Sequence, residues 1–165
     1  HDALPICLDE VWWIPTFKHA FSKDLVDFEH RRQMCSLATA GFSDVSVSGI
    51  EAEMGGESRT VDTVRELRRR HPGEAFALIV GADILDETDE WKEWDALMEM
   101  VRLVVVGREG HRDTPHSDNE AAGLTLPDVS STRTREALRN RERNWLETWI
   151  PGDVLAYIDN HDLYL

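Results

Sequence analysis

Cysteine is nearly absent from this chain: Cys7 and Cys35 are the only two in 165 residues. Two such residues supply neither a disulfide framework nor a zinc-ligand spacing, so the expected setting is reducing and cytoplasmic. Basic residues are scarce as well. Lys and Arg number 18 against 32 Asp and Glu, a formal net charge of −14. That charge repels polyanions and argues against general nucleic-acid binding, though it leaves room for a small anion in a local basic pocket. No apolar run approaches the length of a membrane span. The residues given show no signal-peptide pattern, no repeat and no low-complexity tract. What the chain does have is a composition ordinary for a globular protein, 41% hydrophobic and 30% charged. Its length suits one domain with a buried core.

The first residues stand apart. "HDALPI" (1–6) can be encoded by CACGACGCTCTTCCGATCT, the end of a widely used sequencing adaptor. Residues 1–7 are therefore expected to be non-native, with part of the Cys7 codon included. The native reading would resume near Leu8, and residues 8–165 would form a single domain.

From there strand and helix signals alternate. "EVWWIP" (10–15) is a short apolar run closed by Pro15 and reads as a buried strand. Residues 28–40 carry Phe28, Met34, Leu37 and Ala38 at helical spacing, with Gly41 as a stop. "DVSVSGIE" (44–51) alternates like a half-buried strand. Residues 59–71 read as a helix with Val61, Val64 and Leu67 on one face and basic residues in the last turn. "AFALIVG" (75–81) and "RLVVVGR" (102–108) are fully buried strands, and "EWKEWDALMEM" (90–100) is a helix between them. Residues 109–123 are polar and read as a loop, followed by a short strand over 124–129. Helices follow over 131–140 and 152–160, with Pro151 suiting a helix start. Continuous apolar strands alternating with helices predict an α/β fold with a parallel sheet covered on both faces. Ligands in such folds bind at the carboxyl ends of the strands.

That rule draws attention to "VSSTRTREAL" (129–138), where a strand gives way to a helix. A helix start presents unpaired N–H groups and partial positive charge. Ser130, Ser131 and Thr132 add hydroxyls, and Arg133 and Arg135 add forked cations suited to phosphate. Residues 128–143 hold five arginines against three acids inside an acidic chain. Two readings stand at this point: a phosphate site, or a helix capped by Ser131 with solvated arginines. Other strand ends bear on the choice. Gly81 permits close approach to the backbone, and Asp83 puts a carboxylate beside it, either as a ligand or as a cap for the next short helix. Trp91 reads as a stacking platform or as core, with Trp94 as the alternative core residue. Lys23 and Arg31 flank the first strand's exit, and Arg108 ends a later strand.

The same residues resemble the nicotinate (or nicotinamide) mononucleotide adenylyltransferases of the HIGH-type nucleotidyltransferase superfamily, from about Leu8 to the C-terminus. The motifs that carry the likeness are "DEVWWIP…FSKDL…FEHRRQM", "SRTVDT" (SYTxDT in the family), "GADIL…EW", "VSSTRTR" (ISSTxIR) and "YIDNHDLY" (YIxxxxLY). The resemblance implies a Rossmann-like, doubly wound parallel sheet, here without its first strand and helix. It implies that Ser131, Thr132 and Arg135 hold the triphosphate of ATP. Gly81 and Asp83 would line the junction of the two nucleotides, Trp91 would stack on the pyridine ring, and Thr60 would help fix the pyridine substituent through backbone groups. Lys23 and Arg31 would lie near the phosphates or the lid, and Arg108 would have a phosphate or structural role. "YIDNHDLY" would pack the terminal helix.

Two departures matter. Arg59 stands where the family has Tyr, and the family's GxFxPxxxGH segment with its paired histidines has no counterpart, so no catalytic histidine is assigned; His1 is not one of them. The implied reaction is adenylyl transfer from ATP, accompanied by Mg²⁺, to nicotinate mononucleotide, giving deamido-NAD and pyrophosphate in NAD biosynthesis. The bacterial look of the motifs, and a cation at Arg59, favour nicotinate over nicotinamide. Transfer to another phosphate acceptor such as pantetheine phosphate is the alternative, as is a nucleotide-binding relative without catalysis. The expected partners are the small-molecule substrates, ATP and nicotinate mononucleotide, with no nucleic acid, no membrane and no resident metal site; the sequence does not give the oligomeric state.

Overall fold

Apolar β-branched runs set the strands. The computed structural model describes residues 8–18, 25–108, 120–127 and 129–164, the side chains of 83, 86, 108 and 120–126 excepted. In chain order the elements are β1 (Val11–Trp13), α1 (Phe28–Thr39), β2 (Val45–Val47), α2 (Ile50–Met54), α3 (Thr60–Arg70) and β3 (Phe76–Gly81). A 3-10 helix (Ala82–Glu90) comes next, then α4 (Trp94–Met98), β4 (Val101–Arg108), β5 (Glu120–Leu126), α5 (Ser131–Arg139), α6 (Arg143–Trp149) and α7 (Gly152–Asn160). Every pairing is parallel, as expected. Among the described residues the strands form two ladders, β1–β2 and β3–β4–β5.

The chain divides into two compact units, one built on Arg59–Asp128 and the other on Leu8–Ser58 with Val129–Leu165. In the first, β3 and β4 run in register from Phe76 opposite Val101 to Gly81 opposite Val106. Val104 and Val106 alternate into the core, the period expected of a strand. Against this ladder α3 and α4 bring Val61, Val64 and the fully buried Leu97, with Leu78, Trp91, Trp94 and Met98 packed around them. In the second unit Ala137, Leu138, Leu146, Val154, Leu155 and Ile158 from the three C-terminal helices form a continuous core. Met34, Leu37 and Ala38 of α1 lie on it, so the helical stripe read from the sequence is the packing face.

Several boundaries differ from the sequence reading, each for a local reason. The strand expected over 124–129 is β5 at Glu120–Leu126, so Gly123 lies in the ladder rather than in the loop. The helix expected over 90–100 shrinks to Trp94–Met98 because Glu93 takes a left-handed conformation (φ 53°) that breaks it. The "SGIE" end of the strand expected over 44–51 instead opens α2, which ends at Gly55 and Gly56 with φ of 69° and 77°, a conformation glycine adopts without Cβ strain. Helix α6 was not anticipated from the sequence. Its Leu146 is nonetheless 1% exposed, at the centre of the helical core.

Removing that side chain should leave a cavity. Leu146→Ala is expected to cost about 2–5 kcal/mol, read as a lower denaturant midpoint in urea unfolding; a loss below about 1 kcal/mol would mean the core closes over the gap.

Candidate active site

Helix α5 begins by distributing its donors. Ser130 is its N-cap, and the Ser130 hydroxyl oxygen accepts from the Arg133 N–H at 3.1 Å. The Thr134 N–H and Thr134 Oγ1 both donate to the Ser130 carbonyl at 2.9 Å. Ser130, rather than Ser131, is therefore the capping residue, and Ser131 is the first residue of the helix proper. Of the N–H groups that open a helix without an intrahelical partner, those of Ser131 and Thr132 have no hydrogen bond among the described residues. Their side chains are exposed. Two N–H groups and two exposed hydroxyl residues thus stand at the positive end of the helix dipole.

The two arginines of the motif part company. Arg133 forms a two-pronged ion pair with Glu142, its Nη1 donating to Oε1 at 3.1 Å and its Nη2 to Oε2. The guanidinium also lies over the Trp145 ring at 4.6 Å. Glu142 is held below the usual carboxyl range chiefly by that hydrogen bond from Arg133. Arg135 has no ion pair among the described residues. Helical geometry accounts for the split. Arg135 is one turn after Ser131 and shares its face, whereas Arg133 is about 200° away around the axis.

The other unit holds the remaining candidates. Thr60 is the first residue of α3, with Arg59 as an extended N-cap (φ −129°, ψ 122°). Gly81 ends β3 in ordinary extended backbone (φ −72°, ψ 155°) and leads directly into the 3-10 helix that contains Asp83. Trp91 closes that 3-10 helix, its N–H donating to the Thr88 carbonyl at 3.1 Å. It meets Trp94 edge to face at 5.5 Å. Both tryptophans pack on the cluster of Val61, Val64 and Leu97, and Trp91 stays half-buried. The residue next to Thr60 thus shares a cluster with Trp91.

A charged network, not visible as a motif, ties the same two elements. Lys92 Nζ donates to Asp62 Oδ2 at 2.8 Å, and Arg65 reaches Asp62 at 3.2 Å and Glu93 at 2.5 Å. Asp62 is held below its ordinary value mainly by the hydrogen bond from Lys92, and Glu93 by that from Arg65. These pairs fasten the strained turn at Glu93, and with it Trp91, to the first turn of α3. The (i, i+3) spacing of Asp62 and Arg65 was the available sequence signal; Lys92 and Glu93 join only through the fold.

Arg31, expected near the phosphates or the lid, donates from its three guanidinium nitrogens to the carbonyls of Val26 (2.7 Å), Thr16 (2.6 Å) and Phe17 (3.2 Å). It clamps backbone on both sides of the segment that contains Lys23, which lies outside the described residues. Ser58 of the "SRT" motif has a related task that the sequence did not disclose: its hydroxyl accepts from the N–H groups of Phe17 (2.9 Å) and Lys18 (3.2 Å). Arg108 ends β4 opposite Leu126; its side chain lies outside the description. His30 bonds Tyr157 through Nδ1 at 2.8 Å and joins α1 to α7. Among the described residues no three His, Cys, Asp or Glu side chains converge as a metal cage, and no helix is long and apolar enough to cross a membrane.

Known proteins carry the same framework. Residues 7–137 match the cytidylyltransferase-like family model. A protein of Anaeromyxobacter dehalogenans named as a probable nicotinate-nucleotide adenylyltransferase is 41% identical over 160 residues, spanning 95% of this chain and 81% of the relative. One of Salinibacter ruber with the same name is 36% identical, spanning 95% and 83%. The solved Plasmodium falciparum nicotinic acid mononucleotide adenylyltransferase in complex with NaAD matches in fold, with a TM-score of 0.78 at 19% identity over 95% of this chain and 83% of that one. The chain belongs to the cytidylyltransferase-like nucleotidyltransferases and, among them, to the nicotinate-nucleotide adenylyltransferase family.

The Asp62 network makes a pH prediction. A carboxyl lowered from its ordinary 3.8 stabilises the fold above that value, and the contribution disappears as pH falls through the lowered one. Asp62→Asn should therefore reduce the melting temperature near neutrality, with wild type and variant converging on acidification. A gap that stays constant down to about pH 2 would show that the pairing contributes nothing.

Proposed function

We propose that this protein transfers the adenylyl group of ATP to nicotinate mononucleotide, forming deamido-NAD and pyrophosphate, a step of NAD biosynthesis. The observation that carries the reading is the start of α5, where the N–H groups and hydroxyls of Ser131 and Thr132 are left for an anion while Ser130 performs the capping. The names of the relatives at 36–41% identity supply the acceptor.

In this reading Ser131, Thr132 and Arg135 bind the triphosphate. A 5′-phosphate oxygen of the mononucleotide attacks the α-phosphorus of ATP in line. A new Pα–O bond forms, the bond from Pα to the β-phosphate oxygen breaks, and pyrophosphate leaves with that electron pair. No protein nucleophile is needed; the contribution of the chain is positioning and neutralisation of charge that builds on the phosphates. Gly81 and Asp83, at the β3 end, line the junction of the two nucleotides. Trp91 offers one ring face to the pyridine, and Thr60 helps fix its carboxylate; Arg59 adds a cation in that region. Lys23 and Arg108 contribute to mononucleotide or phosphate binding. Mg²⁺ would enter with ATP as part of the nucleotide substrate. When bound, it supplies further neutralisation of the phosphate charge. The reaction is expected in the cytoplasm, where Cys35 remains a free thiol.

The deciding assay follows pyrophosphate release with MgATP and either nicotinate or nicotinamide mononucleotide. Turnover with the nicotinate form supports the reading. Binding of MgATP without turnover on either mononucleotide would overturn it in favour of a nucleotide-binding relative. Trp91→Ala should raise the Kd for the mononucleotide about tenfold while moving that for MgATP less than about twofold; equal losses would remove the stacking role.

A further inference from the structure

The remaining donor-rich residue of the motif is Arg133, which the triphosphate reading does not use. Its backbone N–H is held by the Ser130 cap at 3.1 Å. Its guanidinium is gripped at both prongs by Glu142 and stacked at 4.6 Å on Trp145 of α6. Glu142 is fixed in turn. It is the N-cap residue of α6, its N–H donates to the Ala137 carbonyl at 2.9 Å, and its Oε1 accepts from Asn140 Nδ2 at 3.3 Å. Arg141, between the helices, takes a left-handed conformation (φ 54°) that brings the chain round. One side chain thus joins the first turn of α5 to the first turn of α6. The pair is only about a third exposed, 37% for Arg133 and 35% for Glu142. A bidentate pair shielded on one side by an aromatic ring fixes direction as well as distance.

We propose that Arg133 is a positioning residue for the triphosphate end of the active site: anchored by Glu142 and Trp145, it fixes the pitch of the α5 start, so that the N–H groups and hydroxyls of Ser131 and Thr132 keep one orientation toward the phosphates. It touches no substrate. Charge alone does not serve this role, since a lysine ammonium cannot make the forked contact or stack as a plane. The inference rests on the function proposed above, and its test separates the two.

The experiment is calorimetric titration of the full chain with MgATP and, separately, with nicotinate mononucleotide. Arg133→Lys, Arg133→Met and Glu142→Gln are each compared with the unsubstituted protein at a temperature where thermal melts show all are folded. Arg133→Met and Arg133→Lys should raise the Kd for MgATP about tenfold, and Glu142→Gln about threefold, with the mononucleotide Kd within about twofold throughout. The double variant Arg133→Met/Glu142→Gln should bind MgATP no worse than Arg133→Met alone, because both remove one interaction. Unchanged MgATP affinity in all variants, or equal losses for both ligands, would overturn the positioning role and leave the proposed function standing. Failure of the unsubstituted chain to bind MgATP would overturn the function, and this inference with it.

Discussion

Parallel pairing is the constraint on which the rest of the structure depends. Two parallel strands cannot be joined by a tight turn; the chain must cross over and return. Between β3 and β4 that crossover is the 3-10 helix and α4, and between β1 and β2 it is α1. In each ladder the carboxyl ends fall on the same edge. For β3 and β4 this places Gly81 in register with Val106, two residues before Arg108. The crossover that leaves Gly81 is the one that carries Asp83 and ends at Trp91. Gly81, Asp83 and Trp91 therefore follow from one topological requirement.

The second constraint is the obligation to satisfy backbone donors. At α5 the cap comes from Ser130, one position earlier than spacing suggested. The shift changes the chemistry. With Ser130 and the Arg133 N–H engaged with each other, the donors without a partner among the described residues are those of Ser131 and Thr132, next to a helix terminus that favours anions. The arginines are sorted by helical angle. Arg135 keeps the face of Ser131, and Arg133 turns to Glu142 and Trp145. In an acidic chain, a cation two residues from the donors is thereby taken up by structure.

The surroundings of Trp91 are organised differently, by apolar packing and surface charge together. Trp91 is held from below by Val61, Val64 and Leu97 and from the side by Trp94. The Lys92–Asp62 and Arg65–Glu93 pairs fasten the turn that carries it. Single exposed pairs contribute little to stability. Here they share partners across a strained turn, so their effect falls on orientation. Trp91 packs on this cluster and stays partly exposed. The choice between Trp91 and Trp94 posed by the sequence was not a choice, because both enter the core.

Much was legible in the sequence because it depends on local pattern. The parallel α/β class followed from continuous apolar runs such as "FALIV" and "RLVVV" alternating with helical stripes. The α1, α3, α5 and α7 boundaries followed from period, caps and stops to within a residue or two. The candidate phosphate residues followed from residue types at a helix start. What the tertiary structure decided are the matters of partnership. Arg31, expected near the phosphates or the lid, is occupied by the carbonyls of Thr16, Phe17 and Val26. Ser58, unremarkable in sequence, holds Phe17 and Lys18 from more than thirty positions away. Helix α6 lacked a stripe long enough to declare itself, and Leu146 became core only when α5 and α7 closed over it. The sequence by itself determines which groups can donate, accept or carry charge, because these are properties of the residues. Which of them remain for a ligand depends on neighbours distant along the chain, and only the fold brings those neighbours within hydrogen-bonding distance.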